Sequence, residues 1–216
     1  MKGVIFDFDG TLMDSYDLHM KCWAATLEKF NISSSELSIM QHFGKSHLDM
    51  AYALLPRIDD KLAIEIAFSE KELFKRSERD LKLFPGVLDV LSEIKRRGIR
   101  CAIASSNARA HTLEMVERFG IGHFISTITG ADEVAKGKPH PALFALAAER
   151  LGIKPTETLV VGDTLHDVIA GNRAGMKTTC VVGKRMIGAL RPSSLQASAD
   201  YLIPEIKYLT TVLDME

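Results

Sequence analysis

The chain has 216 residues, 46% of them hydrophobic, and its 27 lysines and arginines against 28 acidic residues leave a formal net charge of -1. A chain of this size can bury a core of its own, so we expect one domain with an insertion or two small domains. The balanced charge excludes a strongly basic surface for nucleic acid or for an anionic membrane, and we expect a small-molecule partner.

The three cysteines, Cys22, Cys101 and Cys180, are far apart and form no C-x-x-C pattern. This usage is typical of reduced thiols in the cytosol, and we expect all three to fill the core. The apolar run near the N-terminus is only a few residues long, which predicts neither a signal peptide nor a membrane span. We therefore expect a cytoplasmic protein.

The first predicted element is a buried strand at residues 2–6, followed by the D-F-D-G-T sequence of residues 7–11. The carboxylate of Asp7 is a suitable nucleophile toward phosphorus, because its weak basicity makes the aspartyl-phosphate easy to cleave again. Gly10 allows a tight turn around a bound group. A solvated turn remains an alternative for Asp7 and Asp9, whereas the spacing excludes a calcium-binding EF-hand loop, since Gly10 is fourth in the loop where an EF-hand requires its glycine sixth.

The next segment, residues 16–80, shows only helical periodicity. One apolar stripe consists of Met20, Trp23, Leu27 and Phe30, and a second consists of Leu62, Ile66, Leu73 and Phe74. The serines before Glu36 predict a helix start, and Pro85 is suited to the first turn of a helix in the main domain. We predict a helical cap at residues 16–80, inserted into a core made of residues 1–15 and 81–216.

A second predicted strand, at residues 99–104, is followed by Ser105, Ser106 and Asn107. Hydroxyl and backbone N–H groups at the end of a strand suit the oxygens of a phosphate group. A serine that caps a helix is the alternative. We predict that these residues bind phosphate or substrate.

Lys138 stands immediately before Pro139, where we expect a helix to start. Because a proline restricts the preceding residue to extended backbone, the ammonium group of Lys138 can point at an anion. A surface turn is the alternative for this lysine.

A second group of acidic residues follows the predicted strand at 158–161: Asp163 comes after Gly162, and Asp167 lies four residues on. Crowded carboxylates repel each other unless a cation joins them, and the oxygens of Asp7, Asp9 and Asp163 would suit Mg²⁺. Asp167 has two interpretations, an anchor for a metal-bound water or a favourable charge at a helix N-terminus.

With a further strand predicted at residues 178–182, strands alternate with helices throughout the main domain. This alternation predicts an α/β fold with a doubly wound, mostly parallel sheet. The four polar groups described above, at residues 7–11, 105–107, 138 and 162–167, each follow a predicted strand or precede a predicted helix. We expect them to meet at its carboxyl edge, where open sheets bind ligands.

These motifs, in this order and spacing, resemble those of the haloacid dehalogenase-like superfamily of phosphatases and phosphomutases. The motif residues are Asp7, Phe8, Asp9, Gly10, Thr11, Ser105, Lys138, Gly162, Asp163 and Asp167. The helical insertion looks like the cap of the β-phosphoglucomutase and phosphoglycolate phosphatase type. The resemblance covers nearly the whole chain and implies a Rossmann-like core.

By that resemblance, Asp7 attacks phosphorus, and Asp9 protonates the leaving oxygen and later accepts a proton from water. The resemblance also implies a Mg²⁺ cofactor bound by Asp7, the backbone carbonyl of Asp9 and Asp163. Lys138, Ser105 and the amides of the loop that contains Gly10 and Thr11 would neutralise charge on the transferred group. The implied function is hydrolysis of small phosphate monoesters.

The cap would select the substrate, a small phosphorylated metabolite whose identity the sequence does not give. Lys45 could contact the substrate or lie exposed on a turn, and His47 has the same two interpretations. His19 could be an interior histidine of the cap or a substrate contact. A sugar phosphomutase is the alternative enzyme. Mutases that resemble this chain usually have an acidic residue where Gly162 stands and an arginine near His47, which disfavours that alternative. A non-catalytic phosphate-binding module is a weaker third possibility, and the oligomeric state stays open.

Overall fold

The computed structural model of the protein describes residues 1–183 and 198–216. Its strands are β1 (Gly3–Phe6), β2 (Arg100–Ala104), β3 (Ile125–Thr129), β4 (Thr158–Gly162), β5 (Lys177–Val181) and β6 (Tyr201–Ile203). They form one sheet in the order β3-β2-β1-β4-β5-β6, and all neighbouring strands are parallel. The predicted doubly wound parallel sheet is therefore confirmed, with β1 at its centre.

Helices cover both faces of this sheet. The α-helices among the described residues are α1 (Tyr16–Lys29), α2 (Glu36–Met40), α3 (His47–Leu54), α4 (Asp60–Ser77), α5 (Val87–Arg96), α6 (Arg109–Arg118), α7 (Ala142–Leu151), α8 (Leu165–Arg173) and α9 (Leu209–Asp214). Side chains alternate between the faces of a strand: Val4 and Phe6 pack with residues of α5 and α9, whereas Ile5 packs with residues of α7.

Along the chain, the four helices α1 to α4 follow β1 and precede the remaining elements of the sheet domain. Their shared core includes Trp23, Leu27, Ile39, Met50, Ala51, Ala63 and Ile66. At the end of α4, Phe74 and the half-buried Leu73 pack instead with the large core beside the sheet. The apolar stripes predicted from helical periodicity thus face two different cores, and the division at residues 16–80 stays a prediction.

The two chain segments that join these helices to the sheet domain lie side by side. The Asp14 N–H donates to the Lys82 carbonyl at 2.9 Å, and the Phe84 N–H donates to the Leu12 carbonyl at 2.9 Å. Between them, Met13 and Leu83 form an antiparallel bridge. Any movement of the helices relative to the sheet would have to bend both segments together.

Two predicted helix starts are wrong by a few residues. Helix α5 begins at Val87 after Gly86, whose φ of +85° places Pro85 outside the first turn. Helix α7 begins at Ala142, because the His140 N–H donates to the Gly137 carbonyl and forms a turn around Pro139 first. The Lys138–Pro139 peptide bond in that turn is cis. No helix in the described part of the chain is long and apolar enough to cross a membrane.

Candidate active site

Asp7 lies at the carboxyl end of the central strand, where its N–H continues the ladder by donating to the Val161 carbonyl at 2.8 Å. The Lys138 Nζ is 2.6 Å from Asp7 Oδ1 and 2.7 Å from Asp167 Oδ1, and all three side chains are buried. Burial raises the pKa of Asp7 to about 7, even though the charge of Lys138 opposes that shift. The ammonium group that the sequence directs at an anion thus lies between two carboxylates, those of Asp7 and Asp167, and its contact with a phosphate group stays a prediction.

Asp167 also organises the start of helix α8. Its Oδ2 accepts from the Thr164 hydroxyl at 2.6 Å and from the Thr164 N–H at 3.1 Å. This is a helix cap in which the carboxylate accepts a hydrogen bond from a free N–H, and its negative charge is stabilised by the helix dipole. Asp167 therefore has the structural role that the sequence left open, and its contact with a metal-bound water stays a prediction.

The carboxylates of Asp7, Asp163 and Asp167 form an acidic group in which one oxygen of each residue lies within 4.8 Å of one oxygen of the other two. The Thr11 hydroxyl donates to Asp163 Oδ1 at 3.1 Å and orients that carboxylate. Burial, together with the negative charges of Asp7 and Asp167, raises the pKa of Asp163 well above its ordinary value. A divalent cation would relieve this crowding, and an all-oxygen donor set fits Mg²⁺.

Gly10 makes room for Asp163. Its φ is +79°, and a Cβ at this position would lie 2.4 Å from Asp163 Oδ2. Any larger residue would be strained and would displace the carboxylate. The glycine that the sequence assigned to a tight turn thus also shapes the acidic group.

The Asp9 side chain points away from the acidic group and toward helix α1. Its Oδ1 accepts from the Ser15 hydroxyl at 2.9 Å and contacts His19 Nε2 at 3.2 Å, and its Oδ2 accepts from Asn107 Nδ2 at 2.8 Å. Burial acts to raise the pKa of Asp9, but the hydrogen bonds from His19 and Ser15 outweigh it and the pKa is lowered. A role in metal binding through the Asp9 backbone carbonyl stays a prediction.

The loop after β2 brings the predicted phosphate-binding residues to this edge of the sheet. Ser105 is buried, and its hydroxyl accepts from the Asn107 N–H at 3.1 Å. The Ser106 hydroxyl donates to the Gly44 carbonyl at 2.6 Å and so ties this loop to the loop before α3. Contact of Ser105 or Ser106 with phosphate stays a prediction.

A cavity of about 60 Å³ lies between these loops and the helices above them. Its lining from the sheet domain includes Asp7, Asp9, Gly10, Ser106, Asn107, Asp163 and Thr164, and from the helices and their loops it includes Tyr16, His19, Trp23, Phe43, Gly44, Lys45, His47 and Met50. Lys45 therefore shares a cavity with Asp7. Ser105 and Lys138 are not among the described residues that line this cavity, because both side chains are buried beneath its wall.

Sequence reasoning missed Glu70, a buried acid on helix α4. Glu70 Oε2 pairs with His47 Nδ1, and Oε1 lies 3.6 Å from His19 Nδ1. Burial acts to raise the pKa of Glu70, but the nearby imidazoles of His19 and His47 lower it to about 2. The available signal was its place on the buried face of α4, four residues after Ile66 and four before Phe74.

His19 connects this acid to Asp9. Burial acts to lower the pKa of His19, but its hydrogen bond with Asp9 and the nearby carboxylate of Glu70 raise that pKa to about 9. The histidine that could have been a core residue or a substrate contact therefore lies between two carboxylates, at the wall of the cavity.

An acidic group at the carboxyl edge of a doubly wound sheet, covered by helices, is a site suited to a hydrolase that acts on phosphate compounds. A sequence profile of the haloacid dehalogenase-like hydrolases matches residues 4–181. The chain belongs to this family, as its motifs predicted.

Two relatives and two solved structures illustrate this membership. The chain is 32% identical over 217 aligned positions to pyrophosphatase PpaX of Oceanobacillus iheyensis, covering 99% of this chain and 97% of that protein. It is 31% identical over 181 positions to pyrophosphatase PpaX of Bacillus pumilus, covering 82% of each. A hydrolase from Pseudomonas syringae has a TM-score of 0.88 at 26% identity, covering 99% of this chain and 98% of that one. A β-phosphoglucomutase from Clostridium difficile shares the fold, with a TM-score of 0.82 at 19% identity, covering 99% of this chain and 96% of that one.

Proposed function

We propose that this phosphatase is Mg²⁺-dependent and hydrolyses small phosphate compounds through an aspartyl-phosphate at Asp7. The observation that carries the proposal is the environment of the Asp7 carboxylate. It lines the cavity, and the buried ammonium of Lys138 lies 2.6 Å from its Oδ1. A fixed cation beside a carboxylate favours the ionised, nucleophilic form and reduces its repulsion toward an anionic phosphate.

The proposed reaction has two displacements. A carboxylate oxygen of Asp7 attacks phosphorus, and the bond to the leaving oxygen breaks with its electron pair. Water then attacks the phosphorus of the aspartyl-phosphate, which releases inorganic phosphate and restores the Asp7 carboxylate. The positive charge of Lys138 offsets negative charge at the reacting atoms in both steps.

Asp9 is the group that accepts the proton of the attacking water. In the closed arrangement its carboxylate accepts from Ser15 and Asn107 and contacts His19, and its lowered pKa favours the ionised form. An ionised carboxylate can act as the base of the second step. Asp9 can protonate the leaving oxygen only if it enters the first step as the carboxylic acid, and one of these contacts would then have to rearrange. It would leave that step ionised and able to accept the proton of water in the second step.

Asp7 and Asp163, with the Asp9 backbone carbonyl, would hold Mg²⁺, and Asp167 would support the site by fixing Lys138. When bound, Mg²⁺ would supply charge neutralisation for the phosphate oxygens. The crowding of three carboxylates within 4.8 Å supports this assignment.

Inorganic pyrophosphate is the first substrate to test, because the relative from Oceanobacillus iheyensis is named a pyrophosphatase and matches over 99% of this chain. The small cavity favours a compact substrate, and monoesters of small metabolites are the next candidates. The experiment measures phosphate release with Mg²⁺ from pyrophosphate and from a panel of monoesters. Release from at least one compound supports the proposal, and release from none would contradict it.

The sugar phosphomutase alternative is disfavoured by the surroundings of Gly162. A Cβ at this position would lie 2.4 Å from both Cβ and Cγ of Asp167. The acidic residue that related mutases usually have here could not fit while Asp167 pairs with Lys138. Isomerisation of a hexose phosphate faster than phosphate release would restore the mutase alternative.

A further inference from the structure

A line of hydrogen bonds runs from helix α4 to Asp9. Glu70 Oε2 pairs with His47 Nδ1, and His47 Nε2 lies 3.0 Å from Asn107 Oδ1. Asn107 Nδ2 then donates to Asp9 Oδ2 at 2.8 Å. The line joins two helices of the cap to two loops of the sheet domain.

The donors in this line have defined directions. Because Asn107 uses its amide nitrogen on the Asp9 carboxylate, its oxygen faces His47 and must accept a hydrogen bond. His47 Nε2 therefore carries a proton. An ionised Glu70 can only accept, so His47 Nδ1 donates to it, and His47 acts as a hydrogen-bond donor on both sides.

The packing of α4 gives no other reason for an acid at position 70. The neighbouring buried positions on this face are Ala63, Ile66 and Ala67, and the Glu70 side chain has no exposed surface. A buried carboxylate is costly unless it is paired. The polar partners that the structure gives to Glu70 are His47 and His19, both at the wall of the active-site cavity.

We propose that Glu70 is a positioning residue for the reaction: it holds His47 as a double donor, and His47 fixes the Asn107 amide so that it donates to Asp9. This inference rests on the proposed function of Asp9. Glu70 and His47 belong to the cap, whereas Asn107 and Asp9 belong to the sheet domain. The contact between His47 and Asn107 therefore exists only while the cap lies against the core, which makes the orientation of the Asn107 amide toward Asp9 sensitive to cap closure.

The first test compares Glu70→Gln with Glu65→Gln, an exposed glutamate on the same helix, under Mg²⁺ and saturating substrate. We expect kcat to fall about tenfold in Glu70→Gln with KM changed less than about twofold, since positioning of one proton-transfer group is affected. Glu65→Gln should keep native values. Native kcat in Glu70→Gln would overturn the proposal.

A double-mutant cycle with Asn107→Ala separates positioning from a general loss of cap packing. If Glu70 acts through Asn107, Glu70→Gln should lower kcat no further in the Asn107→Ala background. If the two substitutions lowered kcat by the product of their separate factors, the proposal would be overturned. Should Glu70→Gln fail to fold, His47→Asn takes its place in the same cycle, with the same two outcomes.

A spectroscopic measurement tests the line of hydrogen bonds without relying on turnover. The ¹⁵N shifts of the His47 imidazole, assigned with His47→Asn, should show both nitrogens protonated in the native protein and a singly protonated ring in Glu70→Gln. A singly protonated His47 in the native protein would overturn the proposal. If the native protein releases no phosphate, the proposed function fails, while this spectrum still decides whether Glu70 holds His47 as a donor on both sides.

Discussion

The Lys138 ammonium lies 2.6 Å from the Asp7 carboxylate, and both side chains are buried at the carboxyl edge of the sheet. The same ammonium lies 2.7 Å from Asp167. Burial acts to lower the pKa of Lys138, but the charges of Asp167 and Asp7 raise it above its ordinary value. One cation thus joins the candidate nucleophile to the carboxylate that caps the first turn of helix α8.

Replacing that cation should destabilise the protein. In Lys138→Met, Asp7 and Asp167 lose their shared partner, and breaking a buried ion pair costs about 3–5 kcal/mol. We expect a lower melting temperature, at roughly 2–4 °C per kcal/mol for a chain of this size, and little remaining phosphate release. Thermal unfolding without added metal measures the effect against Lys136→Met, whose side chain is exposed. Equal melting temperatures of the two variants would show that the pairing does not stabilise the fold.

Gly162→Ala tests the space that Asp167 occupies. The added Cβ would lie 2.4 Å from Asp167, so the carboxylate must move away from Lys138. Overpacking of this kind costs about 1–3 kcal/mol, and we expect phosphate release to fall by about tenfold or more. The control is Gly122→Ala, whose Cβ would approach nothing closer than 3.8 Å. Similar activity in both variants would mean that Asp167 can move without consequence.

Asp163→Ala should weaken the response to Mg²⁺. Removing one carboxylate from the acidic group takes away a ligand and some of the negative charge that attracts the ion. We expect the Mg²⁺ concentration for half-maximal phosphate release to rise at least about tenfold. Asp89→Ala, at an exposed position of α5, should match the native protein. An unchanged Mg²⁺ response in Asp163→Ala would refute its predicted role.

The contacts of Glu70 with His19 and His47 predict that the free energy of unfolding falls at both low and high pH. The pKa of Glu70 is about 2 in the folded protein against 4.5 ordinarily, so its contribution is complete above about pH 4.5 and is lost as pH falls toward 2. The pKa of His19 is about 9 against 6.5. Its contribution is complete below about pH 6.5 and is lost as pH rises through 9.

Melting temperatures from pH 2 to 10 for the native protein and Glu70→Gln test that profile. The variant lacks the Glu70 titration and one partner of His19, so the difference between the two proteins should be largest near neutral pH and shrink at both extremes. A difference that is constant across this range would show that the network does not titrate as described.

The sheet was predictable where its strands are buried on both faces. Strands β1, β2 and β4 are continuous apolar runs because helices cover them from both sides. Strand β3, at one edge, has polar residues and is partly exposed in its first half, and β6, at the other edge, has three residues. Neither has the length or composition that predicts a buried strand.

The candidate site was predictable where it depends on strand ends. Asp7, Ser105 and Asp163 follow parallel strands, whose carboxyl ends share one edge of the sheet. The direction of Asp9 and the role of Glu70 depend instead on how the cap helices pack over that edge. Glu70 lies 23 residues from His47 in the chain, and no local pattern indicates that they meet.

The most direct measurement of the central claim compares phosphate release by the native protein and by Asp7→Asn, with and without Mg²⁺. Samples are quenched in acid during turnover, and the mass of the peptide that contains residue 7 is measured by mass spectrometry. Asp89→Asn serves as the control. We predict Mg²⁺-dependent release, a native peptide heavier by one phosphoryl group, and neither result in a folded Asp7→Asn. Release by Asp7→Asn at the native rate would contradict the account.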